Sequence, residues 1–68
     1  MKNQKLKAQL FYKDKIYNLF LSGKSVRQIT DYINKQCLTR SHYYKNITLS
    51  KSTIHNIITK MKEANNGY

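Results

Sequence analysis

The side chains best equipped for chemistry are the hydroxyl, amide and basic groups of Ser50, Lys51, Ser52, Thr53, His55, Asn56, Thr59 and Lys60. The chemistry they suit is recognition of an anion and of base edges, not the making of bonds. Ser50 stands where a helix N-cap is expected, because its hydroxyl can accept from the unpartnered N–H groups of a first turn. Lys51, Ser52 and Thr53 follow at the positive end of the helix dipole, where a phosphate oxygen is favoured. Asn56 is the strongest candidate for base readout: an amide can pair in bidentate fashion with adenine, worth roughly 1–3 kcal/mol of discrimination. His55, Thr59 and Lys60 are secondary candidates on the same side. The competing reading of this face is an ordinary solvated surface.

Groups that would make an enzyme are present but scattered. The three acidic residues, Asp14, Asp31 and Glu63, lie far apart in the chain, and neither His42 nor His55 has an acidic or cysteine partner nearby. There is no phosphate-cradling glycine loop, and no Cys/His set has zinc-site spacing. The single cysteine, Cys37, sits among apolar neighbours and reads as a small core residue. No catalytic residue, metal, cofactor or small-molecule ligand is therefore expected.

The elements that must position the polar run can be read around it. Ile54, Ile57, Ile58 and Met61 fall at i, i+3, i+4 and i+7, the stripe of an α-helix running from Lys51 to about Ala64. Before it, Ser22-Gly23-Lys24-Ser25 reads as a stop and a start, with Gly23 closing one helix and Ser25 capping the next. That next helix spans Val26 to Asn34, carries Val26, Ile29 and Ile33, and is expected to end at a left-handed Asn34. Lys24, Ser25, Arg27 and Gln28 at its start would clamp a nucleic-acid backbone. Residues 35–48 show no helical period and read either as an irregular link anchored by Leu38, Ile47 and Leu49 or as a short hairpin turning around residues 41–46. Arg40, His42 and Lys45 in this link could reach a backbone or minor groove.

Met1 to Gln4 is expected to be a frayed basic end, and residues 65–68 a polar tail. From Lys5 to Leu21 the apolar residues cover a wide arc. Two pieces, one ending near Tyr12 and one beginning near Asp14, account for it most naturally. The alternative is one continuous helix whose surplus apolar surface, Leu6, Leu10, Phe11 and Tyr17, packs on another subunit.

Sixty-eight residues make one small domain over residues 1–68, which buries only about 60% of its unfolded surface. Thirteen Lys and Arg against three acidic residues give a net charge of +10, which calls for a polyanionic partner, nucleic acid before membrane. The longest apolar run, Leu19-Phe20-Leu21, is too short for a membrane span or a signal-peptide core. A soluble, cytoplasmic, nucleoid-associated protein is the expectation.

The pattern Gly23-x-Ser25-Val26-x-x-Ile29-Thr30-x-x-Ile33-Asn34, then Leu49-Ser50-Lys51-Ser52-Thr53-Ile54-His55-Asn56-Ile57-Ile58, resembles the helix-turn-helix of resolvases, invertases and sporulation-type regulators. It departs from them in the long link between Asn34 and Leu49. The recombinase segment of large serine recombinases has such a link, and Ile16 to Ser25, Ile33-Asn34, Thr39 and Leu49 to Ile58 follow its order over roughly residues 14–60. The resemblance implies the DNA-reading part of those enzymes without their catalytic serine domain. The expected fold is all-α: three or four helices in a helix-turn-helix domain, with an extended turn or short hairpin before the recognition helix. The expected function is sequence-specific binding of double-stranded DNA, as a homodimer, by a small transcriptional regulator or accessory factor of a phage, plasmid or other mobile element. Two rivals stand beside it: a basic adaptor or inhibitor that docks on a host protein, and an RNA-binding protein that stacks bases on its six tyrosines.

Overall fold

A computed structural model describes residues 4–65: of the expected basic end and polar tail, residues 1–3 and 66–68 lie outside the described residues, while Gln4 and Asn65 belong to helices. The fold is all-helical. Helix α1 spans Gln4–Leu21, α2 spans Val26–Tyr32 and runs directly into a π-helical turn at Ile33–Leu38, and α3 spans Lys51–Asn65. Among the described residues there is no strand, so the hairpin expected as one possibility for the link does not form.

Helix α1 is one continuous helix, not two pieces. Its apolar residues divide between two sides instead of two helices. Ala8 and Ile16 are fully buried, with Tyr12, Leu19 and Phe20 packed against the same core, while Leu6, Leu10 and Phe11 remain more than half exposed. Successive turns of α1 thus serve the core with one stripe, and the broad apolar arc is left partly in solvent.

The helix ends where the chain can turn. Gly23 has φ +102°, the left-handed conformation that closes α1, and the backbone N–H groups of Gly23 and Lys24 reach back to the carbonyls of Phe20 and Leu19 at 3.0 and 3.1 Å. Ser25 then caps α2 reciprocally: its Oγ accepts from the Gln28 N–H at 3.2 Å, while its own N–H donates to Gln28 Oε1 at 3.0 Å.

The second helix does not stop at Asn34. Ile29, Ile33 and Leu38 are all fully buried, and on an ideal α-helix Leu38 would sit roughly 140° around from Ile33. The wider π turn closes that gap and keeps both on the core side. Asn34 is right-handed like its neighbours, since no non-glycine residue among those described has positive φ. Its backbone carbonyl accepts from both the N–H and the hydroxyl of Thr39, at 3.2 and 2.6 Å.

Its side chain has the larger task. Asn34 Nδ2 donates to the Leu49 carbonyl at 2.8 Å, and the Leu49 N–H donates to Asn34 Oδ1 at 2.9 Å. One amide therefore satisfies both polar groups of a fully buried backbone unit immediately before α3. Leu38, Leu49 and α3's Ile54, Ile57 and Ile58 complete the core beneath it.

Replacing Asn34 with alanine strips both partners from a buried peptide unit, each worth about 1–3 kcal/mol when left unsatisfied. Asn34→Ala should lower the unfolding free energy by roughly 2–4 kcal/mol in urea titration. Asn34→Asp, which keeps an acceptor for the Leu49 N–H but sets a carboxylate oxygen against the Leu49 carbonyl, should also be destabilised at neutral pH; a stability equal to the parent's in either variant would contradict the clasp.

Candidate nucleic-acid interface

Helix α3 begins as its residues dictate. Ser50 Oγ accepts from the Thr53 N–H at 3.2 Å and donates to Thr53 Oγ1 at 3.1 Å, so cap and first-turn hydroxyls form one small network. Lys51, Ser52, His55, Asn56 and Lys60 are exposed, and Thr53 and Thr59 are half-buried. Behind them Ile54 is fully buried and Ile57 and Ile58 almost so. The inner stripe thus fixes the rotation of the helix and turns Ser52 and Asn56 outward. Glu63 is also exposed and continues the Ser52, Asn56, Thr59 row at helical spacing. The anion-compatible part of α3 is therefore its first two turns, a limit the acid-poor appearance of the sequence had not shown.

A groove of about 300 Å³ runs beside this helix, between α3 and the first half of α1. Leu6, Leu10, Ile57 and Met61 supply its apolar surface, and Lys13, Asn56 and Lys60 also line it. Lys13 is a basic neighbour of Asn56 and Lys60 in this groove that sequence reasoning missed. The signal was its place one α1 turn beyond Gln9 and Leu10, which also line the groove, but it becomes visible only once α1 is known to be continuous.

The remaining candidates fall in two other exposed places. Lys24, Ser25, Arg27 and Gln28 are exposed at the start of α2. There Ser25 and the Gln28 oxygen are engaged in the capping box, and Lys24 and Gln28 border a second hollow with Leu19 and Tyr32. Arg40, His42 and Lys45 are exposed in the link, whose turns are pinned from within. Ser41 Oγ accepts from the N–H groups of Tyr43 and Tyr44 at 3.2 and 3.1 Å, and the Ser41 N–H returns to the Leu38 carbonyl at 3.0 Å. The cationic side chains of the link are thus carried on a folded turn. Lys15 and Lys62 are held elsewhere, over the rings of Tyr32 and Phe20 at 5.7 and 5.4 Å from the centroids.

Cys37 is half-buried and packs against the core, within the same π turn that carries Asn34. Burial pushes its thiol above the ordinary cysteine value, and the positive charge of Lys15 opposes that shift only in part. A thiol so held is a poor nucleophile at neutral pH. Among the described residues no three His, Cys, Asp or Glu side chains gather as a metal site. No helix among them is long and apolar enough to cross a membrane.

A family model described as Recombinase matches residues 12–62, three-quarters of the chain. The matched span starts within α1 and takes in α2, the π turn, the link and most of α3. No curated protein and no solved structure matches the chain.

The raised Cys37 value has a sign that can be checked. A proton held more tightly in the folded state stabilises the fold below the unfolded thiol's pKa, and that contribution is lost as pH rises through the folded one. Iodoacetamide at pH 8 should therefore modify Cys37 several-fold more slowly in the folded protein than in urea. Equal rates would show that the thiol is neither shielded nor shifted.

Proposed function

The chain belongs to the Recombinase family, and from that premise we propose that it binds double-stranded DNA through α3, with α2 as the bracing helix of a helix-turn-helix. The observation that carries this reading is the first half of α3: a capped N-terminus whose inner stripe is buried and whose outer residues, Lys51, Ser52, His55 and Asn56, are short-armed or basic and exposed. A net charge of +10 supplies the long-range attraction.

In this reading the N-terminal turn of α3 meets a phosphate. Lys51 and Ser52 contribute side chains, and the helix end contributes N–H groups and dipole. Asn56, one turn further in, reads an adenine edge from the major groove, with His55 and Thr59 beside it. Lys24 and Arg27 at the start of α2 hold the backbone on one side. Glu63 ends the footprint, because a carboxylate further along the same row repels phosphate. The chain acts as a single binding module and performs no bond chemistry of its own.

A single reading helix covers few base pairs, so a two-fold site read by a homodimer is part of the same proposal. The exposed leucines of α1, Leu6 and Leu10, are its contact surface; Phe11 is directed instead toward Tyr12 and Tyr44. The role is that of an accessory or regulatory DNA-binding factor of a mobile element, supported by the family.

Gel-shift titrations on duplexes recovered from a random pool test the division of labour. Asn56→Ala should reduce discrimination between the selected and a scrambled duplex by about 5- to 150-fold, corresponding to about 1–3 kcal/mol, while nonspecific affinity stays nearly constant. Lys51→Ala should weaken both duplexes alike and reduce the salt slope by about 1. Affinity that does not fall steeply with salt would remove the phosphate account altogether. For the dimer, Leu10→Lys should abolish cooperative occupation of a two-fold site and leave half-site affinity within about twofold; unchanged cooperativity would place the contact elsewhere.

A further inference from the structure

One surface cluster plays no part in the duplex-reading helix. Five aromatic rings form a connected series from the link to α1: His42 meets Tyr43 at 5.3 Å between centroids, Tyr43 meets Tyr44 at 6.4 Å, and Tyr44 meets Phe11 and Tyr12 at 6.0 and 6.3 Å. Phe11 and Tyr12 close it edge to face at 4.9 Å. Tyr12 and Tyr44 are half-buried and pack against the core, so the inner rings are a fixed base. The outer three are not: His42 is exposed, Tyr43 is 77% exposed and Phe11 68% exposed.

Such exposure is costly for rings whose only task is packing, since an exposed aromatic forfeits most of the burial that would stabilise it. Nor is the turn that presents Tyr43 loose: Ser41 Oγ holds the Tyr43 and Tyr44 N–H groups, and Tyr44 is wedged against α1. The setting is cationic. On the link side, between Asp31 and Glu63, the sequence contains no acidic residue, and Arg40 and Lys45 stand exposed on either side of His42-Tyr43-Tyr44; on the α1 side the exposed Asp14 lies one turn from Phe11, outnumbered by Lys7 and Lys15. Exposed rings on a rigid base, flanked by positive charge, match the chemistry of unpaired bases, which stack on aromatic faces while their phosphates are neutralised nearby.

We propose that the Phe11–Tyr43–Tyr44 cluster is a second nucleic-acid site that takes the unpaired bases of a single strand, with Tyr43 and Phe11 as stacking faces and Arg40 and Lys45 as phosphate partners. The site is separate in sequence and chemistry from the face of α3: it selects for unpaired bases by stacking, where Asn56 selects for paired ones by hydrogen bonds. The rings are tilted relative to one another, by 47° for Phe11 and Tyr44 and 57° for Tyr43 and Tyr44, so bases stack on the outward faces and do not intercalate.

Fluorescence anisotropy with the full chain, using labelled oligo-dT, oligo-rU and a hairpin-free duplex, tests this. Tyr43→Ala should reduce affinity for at least one of the two single strands by about 5- to 150-fold, the range expected for one lost base–aromatic stack, and change duplex affinity by less than about twofold. Tyr43→Phe, which keeps the ring, should restore single-strand binding. The oligo-dT and oligo-rU arms show whether the strand is DNA or RNA. Loss of duplex and single-strand binding in equal measure, or full single-strand binding by Tyr43→Ala, would overturn the proposal. Lys51→Ala run in parallel reports on α3 separately: a duplex defect there with intact single-strand binding leaves the aromatic site standing, and failure of duplex binding in the unmodified chain leaves it standing too. Thermal unfolding of Tyr43→Ala should match the parent, since an exposed ring contributes little to the core; a collapse of stability shared by Tyr43→Phe would also overturn the assignment.

Discussion

The point at which α3 begins is held by two hydrogen bonds to one side chain, Asn34. The link between the π turn and α3 must cross the core to deliver Leu49, and a fully buried residue there would bring an unpaired N–H and C=O into apolar surroundings. Asn34 is the residue type that answers both at once, since its amide carries a donor and an acceptor with the same reach as a peptide. The clasp fixes the residue just before the Ser50 cap, and the cap fixes the first turn of α3. The start of α3 is thus set through backbone atoms and its rotation by the buried isoleucines, leaving Ser52 and Asn56 exposed on the outer face.

The parts of this architecture that follow a simple period were legible before any coordinates. The isoleucine stripe of α3, the Ser50 and Ser25 caps and the turn at Gly23 are local signals, each needing only a few adjacent residues to identify it, and all of them stand as read. The unity of α1 was not legible. An apolar arc too wide for one core is the same string whether the helix breaks or leaves leucines in solvent, and only the packing of Ala8 and Ile16 decides between them. The π turn was hidden for a related reason. Cys37 and Leu38 look aperiodic when counted in steps of 3.6, and Asn34 looks like a terminus because asparagine so often is one.

The candidate side chains show the same division. Their exposure could be anticipated from helical spacing, but two features could not: Lys13 lines a groove with Asn56 and Lys60, and Tyr44 brings rings from the link against rings of α1. Both join segments far apart in sequence. The arrangement separates roles by chemistry as well as by place. The first half of α3 offers hydrogen-bonding groups on a rigid cylinder, while the link offers flat π surfaces beside guanidinium and ammonium groups. A chain carrying charge of one sign over most of its length needs such short-range differences if its contacts with a polyanion are to be more than a general attraction.

The π turn also has a consequence for how this fold can vary in length. A π turn is an α-helix carrying one surplus residue, and Ile33 and Leu38 share the core because the five steps between them are wound more widely. Deleting one residue between Asn34 and Leu38 would set Ile33 and Leu38 four steps apart, about 40° around an ordinary α-helix, so the downstream register would be kept, whereas adding a second residue there would rotate everything downstream by about 100° and pull Asn34 and Leu49 out of step. The π turn is thus where the fold takes up a one-residue change of chain length without moving its core, the surplus being stored as wider helical winding and not as a loop.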